Sequence, residues 1–133
     1  MSIELTVRQI EGVTIFDISG RMVSGNDGRT LHAALTHEFE HGHRWMLLNC
    51  SGLQFVDSSG LGDLVAAYAA VVHRGGVARI VNPSRALSDL LARTRLNALL
   101  DVYDDEAAAL ESFTELNNQR TQEKLAGYLQ RDQ

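Results

Sequence analysis

The fold of this chain is decided by its central stretch, residues 45–72, which reads WMLLNCSGLQFVDSSGLGDLVAAYAAVV. Residues 45–48 are continuously apolar, which is typical of a central strand covered on both faces. After Asp57, apolar residues recur at the spacing of one helix face: Leu61, Leu64, Val65, Tyr68 and Val72. The stretch therefore predicts a buried strand, a connection over residues 51–56 and a helix that starts near Asp57.

The N-terminal region carries the pattern of a β-hairpin. Ile3, Leu5 and Val7 alternate with polar residues, which predicts a half-buried strand. A Glu-Gly pair at residues 11–12 is a tight-turn signal, and the β-rich residues 13–18 follow it. These two strands are expected to pair antiparallel.

A first helix is predicted between this hairpin and the central strand. Residues 24–27 are polar and contain glycine, which indicates a loop leading into the helix. Gly42 lies where glycine commonly ends a helix. The apolar positions between them have helical spacing: Leu31, Ala34, Leu35 and Phe39.

A further strand and helix follow the central unit. Gly75 and Gly76 end the second helix, and residues 77–81 predict a strand. Asn82 is interpreted as a helix cap, with Pro83 at the first helical position. The apolar face of this third helix is formed by Leu87, Leu90, Leu91 and Thr94.

The last predicted elements complete an alternating order. Residues 99–103 predict a final strand, and the acids at 104–106 suit the start of a fourth helix, where the dipole favours negative charge. The resulting order, ββαβαβαβα, predicts an α/β fold with a mixed, mostly parallel sheet and an N-terminal antiparallel hairpin. We assign one domain to residues 1–116 and a polar extension, helical or disordered, to residues 117–133.

Composition and charge limit the function classes. The chain has 133 residues, of which 44% are hydrophobic, enough for a single core. Its formal net charge is −5 and it shows no basic face, so nucleic-acid binding is not predicted. Cys50 is the single cysteine, which excludes an internal disulfide, and its place at the end of an apolar run predicts a buried structural thiol.

No targeting or membrane segment is expected. The first residues lack a basic region followed by an apolar stretch, so a signal peptide is not predicted. The apolar runs are too short to cross a bilayer. The cytoplasm is the expected location, without direct membrane insertion.

The run Asp57-Ser58-Ser59-Gly60 admits two interpretations. Short oxygen-bearing side chains cap helix N-termini, and capping alone explains such a cluster. A hydroxyl at this place can also be phosphorylated without breaking the helix, because free N–H groups and the dipole stabilise the new charge. Phosphorylation would add about 1.5–2 negative charges to an exposed loop and repel a partner packed there.

Residues 55–62, FVDSSGLG, resemble the signature of the STAS family, in particular the bacterial anti-sigma factor antagonists. The resemblance extends to Asn82-Pro83-Ser84 before the third helix, and to the opening hairpin with Gly20. It covers roughly residues 3–113. It implies a single STAS-like domain, with about four helices packed against the mixed sheet.

The resemblance implies partner switching. In such antagonists the unphosphorylated protein binds an anti-sigma factor that is also a serine kinase, which frees the sigma factor. The kinase then uses ATP to phosphorylate the serine after the aspartate, here Ser58, and a metal-dependent phosphatase reverses this step. The protein would be a substrate and a binder rather than an enzyme, without a cofactor. The residues expected to bind the partner are Asp57, Ser59, Gly60, Leu61 and Gly62.

One departure from the family pattern and one alternative function remain open. Many members read Gly-x-Leu-Asp after the second strand, whereas residues 20–23 read GRMV here, so Val23 replaces the acid. Asp27 is the nearest acid that could substitute for it.

Related STAS domains are subunits of transport complexes, including lipid-handling ABC systems. In those complexes the domain holds a transporter component and needs no phosphorylation.

Residues 37–41, HEFEH, match the zinc-peptidase pattern H-E-x-x-H, in which two histidines share a metal. The helix is expected to end at Gly42, and Glu40 places a charge inside the motif. No third ligand follows at a standard spacing, although His43 and His73 are present. A solvated helix end is the preferred interpretation, and no metal site is predicted.

Overall fold

The predicted order of strands and helices is confirmed. A computed structural model describes residues 3–23 and 26–131 of the chain. In that part a short 3-10 turn, Leu96–Ala98, precedes the last strand. The strands and helices are β1 Ile3–Ile10, β2 Val13–Met22, α1 Asn26–Glu40, β3 Trp45–Val56, α2 Ser58–His73, β4 Val77–Val81, α3 Arg85–Thr94, β5 Val102–Tyr103 and α4 Glu106–Arg131.

The described strands form one mixed sheet in the spatial order β1-β2-β3-β4-β5. β1 and β2 pair antiparallel through a turn at Glu11 and Gly12, whose positive φ angles of 52° and 84° suit the twist of a tight hairpin. The strands β2 to β5 run parallel to one another. They therefore all end at one edge of the sheet, here called the carboxyl edge, and begin at the opposite, amino edge.

Helices α1, α2 and α3 cover one face of the sheet. Phe16 and Leu48 from the strands share a single buried cluster with Leu31 of α1, Leu64 of α2 and Leu87 of α3, and all five are 0% exposed. Their burial supplies most of the driving force for packing the three helices on this face. Cys50 lies in the same cluster, so the predicted buried thiol is confirmed.

Helix α4 covers the other face. Its Ala109 and Phe113 share a second buried cluster with Leu47 of β3, whereas Met46 and Leu48 belong to the first. The division follows from strand geometry, because successive side chains project to opposite faces. The prediction that residues 45–48 form a strand covered on both faces is therefore confirmed.

Strand β3 is longer than predicted, and residues 51–56 belong to it rather than to a connection. Its pairing with β2 shifts register twice. One extra residue of β3 lies between Asn49 and Gly52, and a second lies between Leu53 and Phe55. A bulge breaks the alternation of inward and outward side chains. The alternating pattern of a strand is lost there, so the sequence alone predicts a connection.

The start of the third helix also differs from the prediction. Ser84 is the N-cap, and its hydroxyl accepts a hydrogen bond from the amide of Leu87 at 3.2 Å. Asn82 is not the cap, because α3 begins at Arg85 and the φ of Asn82, 50°, belongs to the bend before the helix. Its amide donates to the carbonyl of Tyr103 at 2.8 Å. Pro83 accordingly precedes the helix instead of occupying its first position.

Two positions assigned to buried helix faces are exposed. Val72 is 50% exposed, whereas its neighbour Val71 is 3% exposed and packs in the core. A helix has 3.6 residues per turn, so each step of four residues along the predicted face rotates the side chain by about 40°. Thr94 is also exposed, and its hydroxyl donates to the carbonyl of Leu90 at 2.8 Å.

Two predicted boundaries also move. Residues 99–101 precede β5 instead of belonging to it. Residues 26 and 27 lie in α1 rather than in a loop, whereas Ser24 and Gly25 fall outside the described residues.

A charged network connects β1, β2 and α4. Arg8 Nε donates to Asp17 Oδ2 at 2.6 Å, and Arg8 Nη2 donates to Glu106 Oε1 at 2.7 Å. Asn49 Nδ2 also donates to Asp17 Oδ1 at 2.7 Å. The bonds from Arg8, aided by that from Asn49, hold the pKa of Asp17 below its ordinary value although burial opposes them. The network fixes the start of α4 over the hairpin.

Helix α2 begins in direct contact with the end of β2. A Cβ added to Gly60 would lie 1.9 Å from the carbonyl oxygen of Met22, a distance that no side chain can adopt. The amide of Asp57 donates to the same carbonyl at 3.3 Å. In contrast, a Cβ on Gly62 would meet nothing within 4 Å. Gly60 therefore permits the helix to pack at this place, and Gly62 has no such role within the described residues.

We expect Gly60→Ala to lower the free energy of unfolding by about 1–3 kcal/mol, because the added methyl group must displace the backbone of β2 or α2. Urea unfolding followed by circular dichroism measures the change. Gly62→Ala is the matched control on the same helix, and it should be neutral or stabilising by up to about 1 kcal/mol. Equal losses in both variants would contradict the close contact at Met22.

We expect the stability contributed by Asp17 to depend on pH. Because its pKa is lowered on folding, the contribution is fully present above the unfolded-state pKa of about 3.9 and is lost as the pH falls through the folded-state pKa. Asp17→Asn should therefore destabilise the protein most near neutral pH, and the difference from wild type should shrink below about pH 4. Urea midpoints over a pH series test this, with Asp104→Asn as a control for the loss of one charge. A difference that stays constant with pH would refute the ion pair as its source.

Candidate functional site

Asp57 closes the N-terminus of α2 at the carboxyl edge of the sheet. Its backbone is extended, with φ of −98° and ψ of −179°, and its Oδ1 accepts a hydrogen bond from the amide of Gly60 at 2.7 Å. Its carbonyl accepts from the amide of Leu61 at 2.8 Å. The predicted capping interaction is therefore present, and it is made by Asp57 rather than by Ser58.

Ser58 and Ser59 occupy the first two positions of α2, and both are exposed. Among residues 3–23 and 26–131, none forms a hydrogen bond with the hydroxyl of Ser58 or with the amides of these two serines. Amides without acceptors at a helix N-terminus carry partial positive charge. The arrangement leaves a free hydroxyl beside donors that favour an anion.

The predicted site residues divide into an exposed and a buried group. Ser58, Ser59 and Gly62 are exposed, so a partner can contact them. Gly60 and Leu61 are buried, Gly60 against Met22 and Leu61 in the core at 4% exposure. The structure thus gives Gly60 and Leu61 a packing role, and Asp57, which caps the helix, is half-buried. Partner binding by any of these residues stays a prediction.

Arg21 and Phe55 form an exposed pair at the same edge that sequence analysis missed. Phe55 is 41% exposed, and the guanidinium carbon of Arg21 lies 4.5 Å from the centre of its ring. The two residues are register partners on β2 and β3, three positions before Ser58 on the latter strand. The sequence offered no signal for this pair, because the second bulge in β3 determines which face Phe55 occupies.

Asp27 does not supply an exposed acid in place of Val23. Asp27 is 2% exposed, its Oδ1 accepts from the amide of Ile3 at 3.3 Å and its Oδ2 accepts from the amide of Val23 at 3.1 Å. Both oxygens therefore join the start of β1 to the segment between β2 and α1. Asp27 is thus a buried structural residue and does not substitute for the exposed acid that Val23 replaces.

A shallow groove separates α1 and α2 beside this edge. It has a volume of about 370 Å³ and is lined by residues that include Arg29, His32 and Asp63. A Cβ on Gly28 would lie 2.5 Å from Cγ of Asp63, so glycine allows α1 to approach α2 closely. The groove presents both signs of charge next to Gly62.

The histidine-rich end of α1 forms local contacts. His41 Nδ1 lies 2.7 Å from the carbonyl oxygen of His37, and His43 Nδ1 lies 2.6 Å from Glu38 Oε2. Among the residues described, no three histidine, cysteine, aspartate or glutamate side chains converge as metal ligands. His37, Glu40 and His41 are exposed, which agrees with the solvated helix end preferred from the sequence.

Two further observations concern reactivity and membranes. Complete burial raises the pKa of the Cys50 thiol to about 12, so at neutral pH it is not a nucleophilic thiolate. No helix in the described ranges is long and apolar enough to span a bilayer.

Comparison with known proteins gives consistent matches over most of the chain. The family model for the STAS domain matches residues 4–109. The anti-sigma F factor antagonist of Paenibacillus polymyxa is 26% identical over 114 residues, which cover 83% of this chain and 94% of that protein.

Solved structures show the same fold. An anti-sigma factor antagonist from Mycobacterium paratuberculosis superposes with a TM-score of 0.71 at 22% identity, covering 84% of this chain and 93% of that one. SpoIIAA, an anti-sigma factor antagonist, matches in its unphosphorylated form with a TM-score of 0.68 at 16% identity, covering 84% and 97%. The phosphorylated form of SpoIIAA from Bacillus matches with a TM-score of 0.63 at 16% identity, covering 83% and 99%. The family match covers residues 4–109, most of the chain, and the fold agrees with that of these solved structures, so this chain belongs to the STAS domain family.

Proposed function

We propose that this chain is an anti-sigma factor antagonist that changes partners through phosphorylation of Ser58. In its unphosphorylated form it binds an anti-sigma factor that is also a serine kinase, and phosphorylation of Ser58 releases that partner. A serine phosphatase restores the binding form. The chain acts as a substrate and a binder in the cytoplasm, and another protein supplies the catalysis.

The free hydroxyl of Ser58 is the observation that carries this proposal. Asp57 already caps the helix through the amide of Gly60 at 2.7 Å, so Ser58 is not needed for capping. Its hydroxyl is exposed at the first position of α2 and has no partner among the described residues. The hydroxyl is therefore accessible to a kinase.

Phosphorylation at this position would change the surface and leave the fold intact. A phosphate adds about 1.5–2 negative charges at neutral pH. The unpaired amides of Ser58 and Ser59 and the helix dipole would stabilise that charge by about 0.3–1 kcal/mol. A partner bound at the carboxyl edge would be repelled by this charge and would lose its contacts there.

The relatives support the general role. A relative that spans 83% of this chain is an anti-sigma F factor antagonist, and SpoIIAA has been solved in unphosphorylated and phosphorylated forms. The partner surface that we infer consists of Ser58, Ser59 and Gly62 together with the pair Arg21 and Phe55. An exposed aromatic side chain under an arginine is a common composition for a binding surface.

We expect phosphorylation to be confined to Ser58. The purified chain is incubated with ATP and an extract of the source cells, and the phosphorylated residue is located by tandem mass spectrometry. Wild type and Ser59→Ala should acquire one phosphoryl group on Ser58, whereas Ser58→Ala should acquire none. Modification that persists in Ser58→Ala would place the switch elsewhere.

We also expect a negative charge at Ser58 to weaken partner binding about tenfold or more, equivalent to at least about 1.4 kcal/mol. Immobilised wild type, Ser58→Asp and Gln119→Glu are compared for the amount of retained anti-sigma factor with serine kinase activity. Wild type should retain it, and so should Gln119→Glu, which adds one negative charge at an exposed position of α4 outside the inferred partner surface. Ser58→Asp should not retain it. Equal capture of one transporter component by all three forms would instead favour the transport-subunit function.

A further inference from the structure

The C-terminal part of α4 extends beyond the domain that the family model covers. The family match ends at residue 109 and the last buried side chain of the helix is that of Phe113, but α4 continues to Arg131. All side chains described between 117 and 129 are exposed. At a rise of 1.5 Å per residue, residues 117–131 project about 22 Å. We call this segment the α4 extension.

The α4 extension carries an apolar stripe. Leu125, Tyr128 and Leu129 are 57%, 63% and 63% exposed, and their spacing of three and four residues places them on one helix face. Leu125 and Leu129 follow Phe113, which packs on the sheet, by twelve and sixteen positions, rotations of about 120° and about 160° around the helix axis. These two leucines therefore point away from the sheet of their own domain, and Tyr128, about 60° from Phe113, flanks them.

A second uncovered apolar surface lies between α2 and the turn before β5. It is a groove of about 290 Å³ lined by Tyr68, Val72, Leu99 and Leu100, among others. Val72 is 50% exposed and Leu99 is 78% exposed. We call it the α2 groove. Among the described residues, the exposed large hydrophobic side chains all belong to this groove or to the stripe, except Val7 and Phe55.

Both surfaces lie toward the amino edge of the sheet. Helix α2 starts at the carboxyl edge and returns along the sheet, so its last turn, with Val72, reaches the amino edge. Helix α4 also starts at the carboxyl edge, and the ring of its Phe113 lies 5.9 Å from that of Trp45, where β3 begins. The two surfaces differ in the face of the sheet, since α2 and α4 cover opposite faces.

We propose that two copies of this chain form a symmetric dimer in which the α4 extension of each copy occupies the α2 groove of the other. A two-fold axis in the plane of the sheet, across its amino edge, reverses the strand direction and exchanges the two faces. The α4 face of one copy then continues into the α2 face of its partner. The extension leaves along the α4 face, so this symmetry carries it toward the partner's groove.

A second copy suits the two surfaces better than an unrelated protein does. The extension projects about 22 Å past its own domain, so what it covers belongs to another molecule. Each surface alone offers three or four apolar side chains, whereas a stable interface usually involves about 20–30 residues on each side and buries at least about 1,200 Å². Reciprocal exchange doubles the contact and covers both surfaces at once. It also leaves the carboxyl edge, with Ser58, free for the proposed partner.

Sedimentation equilibrium of the purified chain over a micromolar concentration series tests the proposal without any partner protein or phosphorylation. Wild type should approach twice the chain mass of 14.6 kDa. The double variant Leu125→Glu/Leu129→Glu and the groove variant Leu99→Glu should each weaken dimerisation at least about tenfold. Gln119→Glu, an exposed substitution on another face of the same helix, is the matched control and should behave as wild type. Circular dichroism verifies that each variant is folded.

Mixing the two variants distinguishes the reciprocal dimer from a dimer in which the two extensions pair with each other. A mixture of Leu99→Glu and Leu125→Glu/Leu129→Glu retains one intact contact, so it should associate more strongly than either variant alone. If wild type is monomeric, the proposal is wrong. It is also wrong if Leu99→Glu dimerises like wild type, which would indicate that the extensions pair with each other. None of these results depends on whether Ser58 is phosphorylated.

Discussion

The burial of β3 on both faces is the constraint on which the rest of this structure depends. Met46 and Leu48 pack under α1 to α3 while Leu47 packs under α4, and all three are 0% exposed. A strand that is apolar on both sides requires helices on both sides, because neither face can remain in water. The three-layer arrangement therefore follows from the centre of the chain outward.

The same strand also determines where the functional residues lie. β3 is lengthened by two bulges and ends at the carboxyl edge, where the chain turns directly into α2. The turn is fixed by two contacts, the Asp57 cap and the approach of Gly60 to Met22. Because these two contacts fix the backbone at the start of α2, the fold does not require the hydroxyl of Ser58. A position that is rigid in its backbone and free in its side chain suits reversible modification.

The opposite edge of the sheet has a different character. The carboxyl edge combines serines, a glycine and the exposed pair of Arg21 and Phe55, whereas the amino edge carries the apolar α2 groove and the projecting α4 extension. The two edges are separated by the length of the parallel strands. A regulated contact at one edge and a constitutive contact at the other would therefore not compete for space.

Local patterns in the sequence were sufficient to predict the order of the elements, the parallel sheet with its hairpin, the burial of Cys50 and the position of Ser58, since apolar spacing and helix-start residues are local signals. Tertiary contacts decided the path of residues 51–56, the exposure of Phe55 and the burial of Asp27. Bulges, sheet hydrogen bonds and long-range contacts such as that from Ile3 to Asp27 set these features. They depend on residues distant in the chain, so no local pattern encodes them.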